Sequence, residues 1–161
     1  MKALLCSEYG PLDKLAVQDM PSPRAGPGQV VVDVKAAALN FPDALMVQGL
    51  YQVKPPLPFS PGAEVAGLIK EVGAGVQGLK AGDRVIGFPG TGGFAEECTV
   101  AAEKIMPLPE NMDFASGAAL VLTFGTSLHA LQDCGRLQAG ETLLVLGAAG
   151  GVGAAAVEIG K

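Results

Sequence analysis

A glycine-rich turn close to the last residue constrains the fold of this chain more than any other stretch. Residues 142–146 form an uncharged run rich in branched side chains, which predicts a strand buried on both faces, as in a parallel sheet. A glycine turn follows directly at residues 147–153, and apolar residues then recur at helical spacing up to Ile159. A strand, a glycine turn and a helix in this order predict a dinucleotide-binding unit.

The glycines of this turn have separate physical tasks. Gly150 leaves room for the backbone to approach a pyrophosphate, and Gly153 lets the helix pack closely on the strand. The N–H groups and the dipole at the helix start favour the phosphate charge. The predicted cofactor-binding residues of the turn are Ala149, Gly150, Gly151, Val152 and Gly153. Because Ala148 holds the first position of the G-x-G-x-x-G pattern, an ordinary glycine-rich strand–helix turn stays open as the alternative.

The predicted unit is incomplete within these residues. The acidic residue that reads the ribose stands about 20 residues beyond such a turn, which is past Lys161. We therefore expect the sequence to be part of a longer protein. We also expect that Leu143, Val145, Val152 and Ile159 cannot all be buried within the chain.

Composition narrows the class of protein. With 49% hydrophobic and 17% charged residues, the 161-residue chain can bury a sizeable core. The net charge of −5 and the lack of a basic cluster argue against nucleic acid and anionic membranes as partners. Cys6, Cys98 and Cys134 form neither a disulfide framework nor a metal pair, which fits a reducing cytoplasm. Residues 114–132 lack charged side chains, but their hydroxyl and glycine content favours two helices over a membrane span.

The order of elements predicts a mainly β chain with helices. Short strands with glycine turns fill the first 110 or so residues and indicate a barrel-like body. The predicted strands are residues 2–6, 15–19, 29–38, 65–72, 84–87, 92–100 and 104–108. Helices are predicted at 41–47, from Asp113 through 120, and at 123–134.

Several segments together resemble one known family. They are residues 38–43, 49–51, 57–67, 72–73, 82–85, 92–96, 123–131 and 140–161. The chain resembles the medium-chain dehydrogenase/reductase superfamily, in particular its zinc-free quinone oxidoreductase branch, although Glu158 stands where glutamine is usual. The resemblance implies a GroES-like barrel domain followed by the truncated start of a Rossmann α/β domain. We expect the catalytic domain at residues 1–124, and the connecting helix with the first strand, glycine turn and helix at 125–161.

The positions of zinc ligands in the family are occupied by other residues here. Zinc enzymes of the superfamily use a cysteine where this chain has Asn40, and a histidine where it has Ala63. An amide and a methyl group cannot replace thiolate and imidazole as ligands of Zn²⁺. Cys98 stands alone and does not form a four-cysteine structural lobe. The resemblance therefore implies a site without metal.

The resemblance also assigns roles to single side chains. It places Asn40 in the active-site cleft as a catalytic and cofactor-binding residue, although Asn40 with Asp43 is also a helix-start pattern. Tyr51 is a catalytic candidate whose phenol can polarise a carbonyl oxygen, or else a half-buried loop aromatic. Thr123 and Thr126 are cofactor-binding candidates, or else hydroxyls at a helix end.

Other polar residues receive no catalytic assignment. The role of Glu64 stays open. His129 has no cysteine or carboxylate at the spacing of a triad or metal site, so we expect an ordinary helix residue there.

The resemblance implies an enzyme that transfers hydride from NADPH to a quinone or enone without zinc. The cofactor choice between NADPH and NADH depends on residues beyond Lys161. Two alternatives stay open, namely a reductase of enoyl thioesters or other activated alkenes, and a non-catalytic relative. We expect a cytoplasmic homodimer for the full-length protein, and no activity from these 161 residues alone.

Overall fold

A computed structural model describes all residues from 1 to 161, and they form two compact units. The first unit is Met1–Ala118 and contains every strand, and the second is Ala119–Lys161 and is helical. The chain is therefore mainly β with α, as the sequence predicts. The domain boundary after residue 124 stays a prediction, since compactness alone does not define a catalytic domain.

The first unit has seven strands and two α-helices. The strands are β1 Lys2–Leu5, β2 Ala16–Asp19, β3 Gln29–Ala38, β4 Glu64–Val72, β5 Arg84–Gly87, β6 Glu97–Ala101 and β7 Ile105–Pro107. The helices are α1 Phe41–Val47 and α2 Phe114–Ala118, with single 3-10 turns at Leu12–Lys14 and Ala102–Lys104. In the second unit, α3 Val121–Leu128 continues as a π-helix, His129–Cys134, and α4 is Gly151–Ile159.

The first unit is built around the long strand β3. β3 lies between β6 and β4 in a five-stranded antiparallel sheet of order β6-β3-β4-β5-β7, and β1 pairs with β2 separately. One buried cluster fills the face of this sheet, where each large side chain contributes about 1.5–3 kcal/mol by leaving water. The cluster comprises Val30, Val32, Val65, Ile69, Val85, Cys98 and Val100.

The strand predicted at residues 92–100 is shorter in the structure, and the reason is local. The N–H groups of Gly92 and Phe94 donate to the carbonyl oxygens of Ser60 and Pro61, so this part of the chain is bonded to a loop. Strand pairing with β3 starts only at Glu97. The other predicted strands of the first unit agree with the structure within one or two residues.

The strand predicted at residues 142–146 is wrong. These residues pair with no strand, and both sheets of the structure lie in the first unit. A parallel strand exists only through hydrogen bonds to a neighbour, and without one Leu144 and Leu146 are 82% and 86% exposed. Leu143, Val145, Val152 and Ile159 are not fully buried either, as the sequence predicts.

The helices of the second unit agree with the sequence only in part. The helix after the glycine turn is present as α4. The helix predicted at residues 123–134 begins two residues earlier and widens into the π-helix at His129. No helix in the chain is long and apolar enough to cross a membrane.

Candidate functional site

An apolar cavity of about 470 Å³ opens beside the start of α1 in the first unit. Leu12, Leu15 and Phe94 contribute to its walls, and the polar residues among its lining are Asn40 and Asp43. A largely apolar cavity with few polar groups is the usual form of a small-molecule site. The predicted catalytic residue Asn40 therefore lies where a ligand could contact it.

Asn40 is held by a buried carboxylate on the neighbouring strand. The pairing of β3 with β4 sets Ala38 opposite Glu64, which brings the residues just after β3 close to the start of β4. Asn40 Nδ2 donates to Glu64 Oε1 at 2.9 Å, and Glu64 is 0% exposed. A hydrogen bond to a charged group in a low-dielectric site fixes the amide more firmly than one in water. Sequence reasoning left the role of Glu64 open because the two residues lie 24 positions apart.

The buried carboxylate of Asp43 stabilises the same region, at the start of α1. Asp43 is 1% exposed, and its carboxylate accepts from the backbone N–H of Asn40 at 2.8 Å and of Gly62 at 3.1 Å. The bond from Asn40 is one half of a capping box at the start of α1, which is the helix-start pattern expected for Asn40 with Asp43. Burial raises the pKa of Asp43, and the hydrogen bonds from Asn40, Gly62 and Ala63 oppose that rise. Asp43 thus joins α1 to the loop before β4.

Tyr51 does not line this cavity. It is half-buried against a second apolar cluster that includes Cys6, Met46 and Phe59. This packing agrees with the loop-aromatic alternative. The catalytic role of Tyr51 stays a prediction.

The family's metal position holds no set of metal ligands in this chain. Ala63 is 4% exposed and precedes Glu64, and Asn40 takes the other position. No group of three or more His, Cys, Asp or Glu side chains in the structure is arranged to hold a metal ion. Amide, methyl and a single carboxylate are a poor donor set for Zn²⁺.

The glycine turn of the second unit is formed as the sequence predicts, apart from its strand. Gly147 has a positive φ of 71°, and Gly150 is the N-cap of α4 with no side-chain cap. A Cβ on Gly153 would overlap the carbonyl oxygen of Gly147, so the close packing of the turn requires glycine there. Helix α4 therefore begins with backbone N–H groups that no side chain caps, an arrangement that in general favours anions, and the phosphate-binding role of the turn stays a prediction.

The turn lies against α3. A Cβ on Gly151 would come within 3.0 Å of the Thr123 methyl group, so one predicted threonine is beside the turn. The Thr123 hydroxyl donates to Ala119 O at 2.7 Å. This bond agrees with the alternative that Thr123 is an ordinary hydroxyl at a helix end. Thr126 is exposed, and its cofactor role stays a prediction. Ser127, which sequence reasoning missed, is 1% exposed and donates to Val152 O at 2.7 Å, joining α3 to α4.

The environment of His129 differs from the expectation. The structure brings both a carboxylate and a thiol to the imidazole, from Asp133 and Cys134. His129 is an exposed helix residue, as expected, but the spacing argument did not count Asp133, the regular neighbour four residues on. Cys134, five residues on, reaches the imidazole because the helix is widened at residues 129–134.

Comparison with known proteins identifies the family. The model of the alcohol dehydrogenase GroES-like domain matches residues 26–110, which is more than half of the chain. The chain belongs to this family, within the medium-chain dehydrogenase/reductase superfamily.

Two curated relatives give the range of similar proteins. The human synaptic vesicle membrane protein VAT-1 homolog is 43% identical over 99% of this chain and 41% of its own length. Rat quinone oxidoreductase is 41% identical over 100% of this chain and 50% of its own length. The chain thus spans about half, or less, of the curated relatives it matches.

Solved structures share the fold. The CurK enoyl reductase has a TM-score of 0.89 at 36% identity, covering 98% of this chain and 50% of its own. A mycobacterial protein complexed with NADPH has a TM-score of 0.91 at 31% identity, covering 98% of this chain and 49% of its own.

Proposed function

We propose that this chain provides the substrate cavity and the phosphate-binding turn of a zinc-free, NADPH-dependent quinone oxidoreductase. The observation that carries the proposal is Asn40, held by Glu64 at an apolar cavity where zinc enzymes of the superfamily have a cysteine. Support comes from rat quinone oxidoreductase and from the similar mycobacterial protein complexed with NADPH.

The residues present fit a nicotinamide dinucleotide. Gly153 and Gly147 form a tight turn before α4, and the uncapped helix start offers N–H donors to a pyrophosphate. The cofactor, when bound, supplies the hydride. The chain binds and orients it through the turn.

Asn40 is proposed to act on the acceptor. A primary amide carries two N–H groups, and one of them is engaged by Glu64. The second is the donor we assign to the acceptor's oxygen, where negative charge develops during hydride transfer. The fixed bond to Glu64 orients the amide before the substrate arrives.

The cavity walls are proposed to select the substrate class. Apolar side chains such as Leu12, Leu15 and Phe94 favour a planar, weakly polar acceptor over a charged one. A quinone needs little acid catalysis from the protein, because its reduced oxygens can take protons from water. The proposed mechanism accordingly assigns no side chain as a strong acid or base.

Two other functions are alternatives. The likeness to the CurK enoyl reductase supports reduction of an activated alkene such as an enoyl thioester. A non-catalytic role is the second alternative, because a fold does not fix activity. The deciding experiment measures NADPH and NADH oxidation by the natural gene product that contains these residues. Benzoquinone and an enoyl thioester are offered as acceptors.

The proposal expects faster oxidation of NADPH with benzoquinone than with the thioester. Preference for the thioester would move the assignment to the enoyl reductase. Oxidation with neither acceptor would support the non-catalytic alternative.

The cellular setting is proposed on chemical grounds. The three cysteines are free, which fits a reducing compartment such as the cytoplasm. The homodimer implied by the resemblance stays a prediction, which sedimentation of the gene product would test.

A further inference from the structure

A three-residue polar cluster on the π-helix lies outside the proposed site. The imidazole of His129 bridges two neighbours, with Nδ1 at 2.7 Å from Asp133 Oδ2 and Nε2 at 3.6 Å from Cys134 Sγ. The side chains of His129 and Asp133 are 68% and 62% exposed, and Cys134 is exposed as well. The cluster is thus open to small molecules in solution.

The π-helix creates this arrangement. In a regular α-helix His129 would meet the residue four positions on, which is Asp133, and not the fifth. Here Gly135 N donates to Ala130 O at 2.7 Å, five residues back, which marks the wider turn. The widening brings Cys134 alongside His129 while Asp133 keeps its contact.

The chemistry of the cluster follows from which nitrogen holds the proton. An ionised carboxylate at Asp133 accepts the Nδ1–H and leaves the lone pair of Nε2 directed to the thiol. An imidazole so placed can remove the thiol proton and activate the sulfur as a nucleophile. The thiol is therefore paired with its own base.

We propose that Cys134 is a thiol-modification site that forms a mixed disulfide with small, low-molecular-weight disulfides, assisted by His129. The Cys134 proton passes to His129 Nε2, and the sulfur attacks one sulfur of the reagent. A new S–S bond forms as the reagent's S–S bond breaks. The leaving thiolate takes the proton from the imidazolium. Cys134 is oxidised, and half of the reagent is released as reduced thiol.

The other two cysteines differ from Cys134 in access and in environment. Cys6 is 2% exposed and donates to Glu8 O at 3.2 Å, and burial raises the pKa of its thiol. Cys98 lies in the sheet core, where burial raises the pKa of its thiol to about 12. Neither has an imidazole at hand, because His129 is the only histidine. Modification of the folded chain should therefore be confined to Cys134.

The test uses this chain and the neutral reagent bis(2-hydroxyethyl) disulfide, so that charge changes in the variants do not alter its attraction to the protein. Peptide mapping of the folded wild type should place one adduct per chain, on Cys134. The adduct should be absent from Cys134→Ser. An adduct on Cys6 or Cys98 of the folded chain would overturn the proposal.

Rate measurements test the assistance by His129. Removal of a general base typically slows a step by 10²–10⁴, and for an exposed thiol we expect about a 10-fold loss in His129→Ala and His129→Gln. Asp133→Asn should lose less, about 3-fold, because it only orients the imidazole. Gln132→Ala, an exposed neighbour on the same helix, is the matched control and should react at the wild-type rate.

Two outcomes would contradict the role of His129. One is a wild-type rate in both His129 variants, with their helical circular dichroism unchanged. The other is a difference between wild type and His129→Ala that persists in concentrated urea, where the helix is absent and the rates must converge.

Discussion

Asn40 combines a structural and a proposed chemical role at one residue. Its side chain is the partner of a fully buried carboxylate, Glu64, and its backbone N–H is bonded to Asp43. A residue with only the structural role affects folding alone, whereas a residue that contacts the acceptor also affects turnover. The two roles can therefore be separated by measuring stability and kinetics on the same variant.

Replacing Asn40 with alanine should lower both quantities. The buried Glu64 loses a donor, which costs about 1–3 kcal/mol of unfolding free energy. Loss of the proposed contact to the acceptor should lower kcat/KM of the gene product by about 10- to 100-fold, or 1.4–2.7 kcal/mol. Urea denaturation and steady-state kinetics with benzoquinone give the two numbers.

The matched control is Asn111→Ala, because Asn111 is the other asparagine of the chain and is exposed. It should leave both quantities unchanged. Lower stability with wild-type kinetics in Asn40→Ala would remove Asn40 from the catalytic site.

Asp43 gives a prediction about pH. Its folded pKa is raised above the ordinary value of 3.8, so its contribution to stability is fully present below that value. The contribution is lost as pH rises through the raised pKa. The stability difference between wild type and Asp43→Asn should therefore shrink as pH rises from about 4 towards neutrality. Glu8, Asp83 and Asp113, whose pKa values are lowered, act in the opposite direction, but they cancel in this comparison.

Urea denaturation of the two proteins at a series of pH values checks the Asp43 prediction. A stability difference that grows with pH would mean that the backbone hydrogen bonds to Asp43 outweigh its burial.

At the scale of elements, two glycines of the turn before α4 have different roles. Gly153 is needed for packing, and Gly150 is proposed to leave space for the cofactor. A Cβ on Gly153 would overlap Gly147 O, whereas one on Gly150 would lie at an ordinary 3.5 Å from the same atom. Gly153→Ala should therefore cost about 1–3 kcal/mol through strain. Gly150→Ala should keep the stability but weaken NADPH binding, because its methyl group occupies the space for the pyrophosphate.

Thermal or urea unfolding and NADPH titration of the gene product test this pair of glycine variants. Equal effects of the two substitutions on both measurements would contradict the separate roles given to Gly150 and Gly153.

Local patterns predicted the elements well where hydrogen-bond partners are near in sequence. Strand β3 and helix α1 have the bounds that alternation and the Asn40 start signal predict. The strand at residues 142–146 failed because a parallel strand depends on a neighbour that the local sequence does not contain. The π-helix could not be predicted from the sequence. An α-helix and a π-helix can begin with the same local pattern, and they differ in whether a residue meets its i+4 or its i+5 neighbour.

For the candidate site, the sequence offers candidate residues but not the contacts between them. Asn40 could be selected by resemblance, but its bond to Glu64 depends on the pairing of β3 with β4 across 24 positions. Likewise the hydrogen bond from Ser127 to Val152 depends on how α3 packs on α4. Contacts of this kind follow from tertiary structure, which short-range spacing does not encode.

At the scale of the whole molecule, the apolar cavity lies in the first unit and the glycine turn lies in the second. Both are proposed parts of one reductase, in which the amide of Asn40 takes the place of a metal ligand. The chain spans about half, or less, of the curated relatives it matches, so reductase activity is a proposal about the whole gene product.

Zinc-free turnover is tested most directly by the rate of NADPH oxidation with benzoquinone, measured before and after chelator treatment of the purified gene product. We predict turnover that the chelator does not change and that added zinc does not raise, because Asn40 and Ala63 cannot act as thiolate and imidazole ligands of zinc. Loss of the rate on chelation, with recovery on addition of one equivalent of zinc, would contradict the zinc-free mechanism.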